Sequence, residues 1–487
     1  MTQSVASIAH RNWLRLGAVI LCAAIGTIVG VSRHPVYVSL AILGMLGYTA
    51  FAAVSVRQPM LFVMVFLFVL EIFPPFYFSQ SGETPIYVSF FLLPIIAVIF
   101  IARFADMRFS WDPVGMGLLL FLWGTALSLP FAWWLSGPGV GKDGLSRWLL
   151  LSHGVLIYYL IRGCNRWSST AWGERILKTL LIGAVISAAY GILDFVWPIP
   201  LPHTPADQFI WLENAILRRA QGVFYESSNF ANFCGFFLIV SSSAFLARKE
   251  RYVGVPRTLL MSIIAVLSVA VFVAFSRSAW VGVLTALLAS ILVSRDVKIH
   301  RTGAVFAAFA VPLILVWLSG SELWTYFVDA RIGRVFGIFS DPNSATSGRY
   351  DTWIRVLSIM REQPQYLIFG IGYKTLPVTR LFHGEIITDN GYLSLLLETG
   401  VIGLTGFLIL SRSVLKTFFT LARTASALTA FWSGILFSLW CGELVLLLAA
   451  DAYTYWRNIV IISAMMAITL NLAERSEFSR SVKNAGI

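Results

Sequence analysis

Residues 391–411 read Gly391-Tyr-Leu-Ser-Leu-Leu-Leu-Glu398-Thr-Gly-Val-Ile-Gly-Leu-Thr-Gly-Phe-Leu-Ile-Leu-Ser411, with Glu398 as the single charged side chain. A helix of about 20 mostly apolar residues spans the hydrocarbon of a bilayer. Lipid offers no partner to backbone N–H and C=O groups, so a run of this kind crosses as a helix that satisfies them internally. Working outward in both directions, similar runs lie near 13–31, 36–56, 58–80, 86–104, 113–135, 145–162, 177–197, 226–247, 257–275, 279–294, 302–319, 428–450 and 456–473. The expected fold is all-α, a polytopic transmembrane helix bundle of about 14 spans.

Composition agrees with this reading. The chain has 487 residues, 58% of them hydrophobic and 12% charged, with a mean hydropathy of +0.78. A soluble domain carries roughly twice that charged fraction. Its 17 Trp and 16 Tyr suit the two membrane–water interfaces, where amphipathic rings collect. A net charge of +12 could mean a nucleic-acid partner. Its placement points instead to loops retained on the cytoplasmic side, with no nucleic acid involved. With the N-terminus inside, roughly 22 of the 36 Lys and Arg residues fall in inside segments, among them Arg162, Arg166, Arg248, Lys249, Arg295, Arg412 and Arg475. Both termini are then cytoplasmic. Cys22, Cys164, Cys234 and Cys441 show no CxxC spacing and share no outside loop, so neither a disulfide nor a metal site is expected. The first apolar run lacks a small-residue cleavage site and reads as a retained span.

The chain divides into an N-terminal bundle (1–197, seven spans), central spans with an outside loop at 198–225 (198–319), a long outside loop (320–390), and the final spans with a cytoplasmic tail (391–487). A loop of roughly 70 residues exceeds a mere connection and should hold structure or function. Within it Tyr350, Trp353, Ile354, Leu357 and Met360 recur at helical spacing, giving an amphipathic helix that suits a membrane surface or the lid of a cavity.

Outside arginines are candidate ligands, because the inside bias does not require them. Arg218 and Arg219 precede the eighth span, Arg277 sits in Phe275-Ser276-Arg277-Ser278 at a hairpin end, and Arg349 opens the amphipathic helix. Guanidinium groups at such depth suit a diphosphate, which takes bidentate hydrogen bonds; the alternative is snorkelling to lipid headgroups. Asp389 sits where the chain re-enters the membrane, in Thr388-Asp389-Asn390-Gly391-Tyr392. It is either a general base toward a substrate hydroxyl or a cap for the following helix. His383, Asn390, Tyr392 and Glu398 are further candidates for the acceptor side or the loop. Glu71, Asp194 and Glu443 lie in apolar runs without a shared motif.

The ordered series Arg219…Gly222, Ser276-Arg277, Ser347-Gly348-Arg349…Trp353, Pro364…Gly370-Ile-Gly372 and Asp389-Asn390-Gly-Tyr392-Leu393…Glu398-Thr-Gly400 resembles the O-antigen ligase/polymerase family over roughly residues 215–411. The resemblance implies a GT-C-like membrane glycosyltransferase at the outer face of the bacterial cytoplasmic membrane. It would need no metal or other cofactor and would use a polyprenyl-diphosphate-linked oligosaccharide donor and a glycan acceptor. Polysaccharide assembly or export proteins are the implied partners. Arg219, Arg277 and Arg349 match the family's diphosphate-holding arginines. Asp389 stands where the family carries the histidine regarded as the base, a departure that favours the branch polymerising repeat units over lipid A-core ligases. Trp324, Tyr326, Tyr350, Trp353 and Tyr373 are candidate sugar-stacking surfaces, although packing the loop is their commoner use. A ligase differs only in acceptor. A flippase or other transporter also suits about fourteen spans, but the paired halves and broken helices usual there are not visible.

Overall fold

The computed structural model describes residues 35–75, 87–109, 111–164, 170–197, 209–211, 216–224, 226–293, 343, 346, 348–379, 381–382 and 386–484. The expected spans at 13–31 and 302–319, with His383, Trp324 and Tyr326, lie outside these residues. Every other expected span overlaps one or two helices. In order these are α1 (Pro35–Arg57), α2 (Pro59–Ile72), α3 (Val88–Arg103), α4 (Pro113–Ala126), α5 (Leu129–Ser136), α6 (Pro138–Gly163), α7 (Thr170–Val196), α8 (Ser227–Ala247), α9 (Glu250–Val253), α10 (Arg257–Val273) and α11 (Arg277–Val293). Then come α12 (Arg349–Glu362), α13 (Tyr366–Phe369), α14 (Gly391–Thr424), α15 (Ala427–Leu446) and α16 (Trp456–Asn484). A short antiparallel hairpin, β1 (Phe209–Trp211) with β2 (Ile216–Arg218), lies between α7 and α8. Among the described residues, 8 helical stretches are long and apolar enough to cross a membrane, and shorter apolar helices stand beside them. The chain is an all-α polytopic membrane protein.

Local chemistry sets the boundaries and moves some of the expected ones. Asp112 caps α4, its carboxylate accepting the Gly115 N–H at 2.9 Å, with Pro113 placed where no N–H is needed. The expected span 113–135 is two helices, because Pro130 offers no N–H to the turn before it. The span expected at 145–162 begins earlier, at Pro138 after a left-handed Gly137 (φ 89°), so Arg147 lies in the helix interior and donates to the Lys374 carbonyl. His153, the other polar residue of that span, is buried beside the Phe66, Phe90 and Trp456 rings, with its Nδ1 2.6 Å from the Leu149 carbonyl.

Five helices close a ring: α4 packs on α14, α14 on α15, α15 on α16, α16 on α6, and α6 on α4. Small residues let the backbones approach, as is usual where lipid gives helices no hydrophobic reason to associate. A Cβ added at Gly124 would lie 3.0 Å from the Gly403 Cα, and one at Gly406 would lie 2.8 Å from the Leu120 carbonyl. At one end of the ring the buried Arg162 ties α6 to Asp112 (3.2 Å), and to Asn471 and Glu474 of α16. Outside the ring, α11 packs on α15 and α8, α8 on α10, and α10 on α7.

The longest helix is broken. Gly400 of α14 takes φ 67° and ψ −173°, and the segment after α13 docks into the break. The Ile371 and Gly372 N–H groups donate to the Leu397 and Glu398 carbonyls at 3.1 and 2.9 Å, carbonyls that an unbroken helix would satisfy itself. A Cβ at Gly400 would stand 2.1 Å from the Ile368 carbonyl oxygen, on a backbone essentially confined to glycine that costs other residues about 1–3 kcal/mol. Gly400→Ala is therefore expected to lower stability by more than about 2 kcal/mol, read as a fall in the melting temperature of the detergent-solubilised protein. Gly139→Ala, with nothing within 4 Å of the new carbon, should leave it unchanged.

Candidate active site

The docked segment and the helix break build one wall of a polar cluster at the end of the bundle opposite Arg162. Glu398, 1% exposed, accepts the backbone N–H groups of Lys374 (2.9 Å) and Leu376 (3.1 Å) and the Tyr453 hydroxyl (2.7 Å). Its oxygens are thus engaged in shaping the loop. Lys374 is held in a left-handed conformation (φ 56°), and its ammonium lies 3.4 Å from Asp451 in the turn between α15 and α16. Burial lowers the proton affinity of Lys374, but Asp451 and Glu398 outweigh it and leave the group raised above its ordinary value.

The re-entry strap 386–391 forms the second wall. Asn390 is the helix cap, its side-chain oxygen accepting the N–H groups of Tyr392 (3.2 Å) and Leu393 (3.1 Å). Asp389 is therefore not the cap. It sits at φ 44°, with its carboxylate 40% exposed and 2.9 Å from the Arg349 Nε. Non-glycine residues take such a backbone rarely and mostly where the surroundings hold them to it. The Tyr392 hydroxyl donates to the Leu444 carbonyl at 2.8 Å and anchors the first turn of α14 on α15. Trp353 is also committed to the strap, donating to the Thr388 carbonyl at 2.8 Å.

The outside arginines stand at the same end of the bundle. Arg219 donates to the carbonyls of Ala274 (2.9 Å) and Phe275 (3.2 Å), bracing the turn before Ser276-Arg277. In that turn Phe275 has φ 51°, another non-glycine residue in the left-handed region. Arg277 opens α11 and is partly exposed. Arg218 is buried in an ion pair with Asp194 at 2.9 Å, which gives it a structural task. Arg349, read from the sequence with the diphosphate group, is paired with Asp389.

Packing fixes the level of Arg277 relative to Asp389. Gly282 of α11 faces Gly442 of α15, with a Cβ on Gly442 2.7 Å from the Gly282 carbonyl. Five residues along each antiparallel helix, about 7 Å at 1.5 Å per residue, lead to Arg277 on one and Leu447 on the other. The Leu447 carbonyl accepts the Gly391 N–H at 2.8 Å, two residues from Asp389. The arginine turn and the carboxylate strap thus share one end of the bundle at similar depth.

Several residues of this end were not singled out from the sequence. Glu226, before α8, is hydrogen-bonded to the buried Tyr455 and lies within electrostatic reach of Lys374, Asp389 and Asp451. Arg457, 3% exposed, donates to the carbonyls of Val223 (3.2 Å) and Phe73 (2.8 Å), with its guanidinium 4.9 Å from the Phe224 ring centre. Each is one charged residue at a span end. Strict alternation of the spans would have put all of these ends on the same side as Asp389, and that was the available signal.

Residues 260–408 match the O-antigen ligase family. This stretch of the chain is similar to that family and supports the O-antigen ligase/polymerase resemblance. The matched stretch runs from α10 into α14 and takes in Arg277, Arg349, the Gly370–Gly372 segment, Asp389 and Glu398. Arg219, Glu226, Asp451 and Arg457 lie beyond it. Among curated proteins nothing matches the chain. The match supports a glycosyltransferase-type enzyme acting on lipid-linked glycans in a membrane.

Proposed function

We propose that this protein polymerises polysaccharide repeat units, transferring glycan from a polyprenyl-diphosphate donor to a sugar hydroxyl of a second lipid-linked unit. The excess of Lys and Arg in the segments opposite Asp389 supports placing this end at the extracytoplasmic face of a bacterial cytoplasmic membrane, with both termini inside. One observation carries the chemistry: capping falls to Asn390, which leaves the Asp389 carboxylate partly exposed beside Arg349, at the end of the bundle that also holds Arg219 and Arg277.

The reaction is a single displacement. Asp389 takes the proton from the acceptor hydroxyl, whose oxygen attacks the anomeric carbon of the donor. The bond from that carbon to the diphosphate breaks, and polyprenyl diphosphate leaves. Negative charge grows on the leaving group as the bond lengthens, so Arg277 stabilises the transition state more than the ground state. Arg219 fixes the turn that presents Arg277 and adds its charge, the task Mg²⁺ performs in enzymes using nucleotide sugars. Arg349 orients the carboxylate. Polysaccharide assembly or export proteins would receive the chain.

The test is to incubate purified protein with a polyprenyl-diphosphate repeat unit and resolve the products by size. A ladder is expected. A single transfer to a second acceptor would make the protein a ligase, and no product in any combination would remove the transferase reading.

A further inference from the structure

Asp389 stands on a backbone that L residues seldom adopt, and its neighbours are tied from outside the strap. Thr388 is fully buried, with its carbonyl taken by Trp353 and its hydroxyl against that of Ser394. Both hydroxyls turn to one carboxylate oxygen, since the Asp451 Oδ1 lies 2.8 Å from the Ser394 Oγ and 3.5 Å from the Thr388 Oγ1. The other oxygen, Oδ2, faces the Lys374 ammonium at 3.4 Å. Lys374 is itself fixed through its N–H to Glu398 and its carbonyl to Arg147. Asp451 also secures its own turn, its carbonyl accepting the Thr454 N–H at 2.9 Å and hydroxyl at 2.7 Å. It therefore joins the strap, the first turn of α14 and the docked loop.

We propose that Asp451 is a positioning residue for transfer, holding the Thr388–Ser394 side of the strap so that the Asp389 carboxylate meets the acceptor hydroxyl. This rests on reading Asp389 as the base. A carboxylate suits the place because one oxygen accepts the Ser394 hydroxyl, which can itself accept from Thr388, and the other faces an ammonium. An amide would turn an N–H toward Lys374 or toward the hydroxyls. A misplacement of about 1 Å at a reacting group costs on the order of 100-fold in rate, so losing this tie should appear in turnover and not in substrate binding.

The experiment measures kcat and KM of the purified protein on the lipid-linked repeat unit for Asp451→Asn, Asp389→Asn and the double variant. Asp451→Asn should lower kcat by about 10- to 100-fold and leave KM within about twofold. The double variant should be no slower than Asp389→Asn alone, because two residues acting through one group do not multiply. Ser394→Ala, a gentler break in the same tie, should lower kcat in the same direction with an unchanged melting temperature. Wild-type kcat in Asp451→Asn, or losses that multiply in the double variant, would overturn the positioning role while leaving Asp389 as base. Full activity in Asp389→Asn would overturn both.

Discussion

Asp389→Asn lowers glycan transfer by about 100- to 10,000-fold, the range over which a positioned general base contributes. The amide keeps the size of the side chain and an oxygen toward Arg349, so the strap and its ion-pair partner stay in place, but no proton can be accepted at reaction. Asp389→His, which restores the residue type of the wider family at this position, should recover part of the rate. Asn390→Ala is different in kind. It strips the side-chain acceptor from the Tyr392 and Leu393 N–H groups and costs about 1 kcal/mol of stability, seen in the melting temperature. Rate assays on membranes with equal amounts of each variant separate the two. Full-rate extension by Asp389→Asn would reduce the residue to a strained link in the strap.

Arg277→Ala should leave the protein inserted in the membrane and lower transfer by about 100- to 1,000-fold, the usual loss when one preorganised donor to a developing anion is removed. The turn ahead of it is braced by Arg219 through the Ala274 and Phe275 carbonyls, so the truncation need not disturb the hairpin. Arg277→Lys keeps the charge but not the planar fork, and should fall between wild type and alanine. Normal polymer length in Arg277→Ala would remove the diphosphate role from this side chain.

Hydropathy made the helices legible because the bilayer leaves the backbone no other solution. The break at Gly400 was hidden, since the residues around it are apolar and only the docked Gly370–Gly372 segment explains it. Spacing left Asp389 between base and cap, because two adjacent Asx residues can both cap a helix, and only backbone angles decide between them. The pairing of Arg349 with Asp389 was hidden, because the two lie 40 residues apart in sequence. Glu226, Lys374 and Asp451 come from three distant segments and form a cluster only through the packing of span ends. His383 lies outside the described residues, and its candidacy stands as the sequence left it.

The proposed mechanism divides the labour, with guanidinium groups for the diphosphate and a carboxylate for the proton. Binding of polyprenyl diphosphate to the purified protein tests it most directly, compared among wild type, Arg277→Ala and Asp389→Asn. Arg277→Ala is expected to weaken binding by at least about tenfold, the effect of a lost charge-assisted contact, while Asp389→Asn binds as wild type does. Equal affinity in wild type and Arg277→Ala would contradict it.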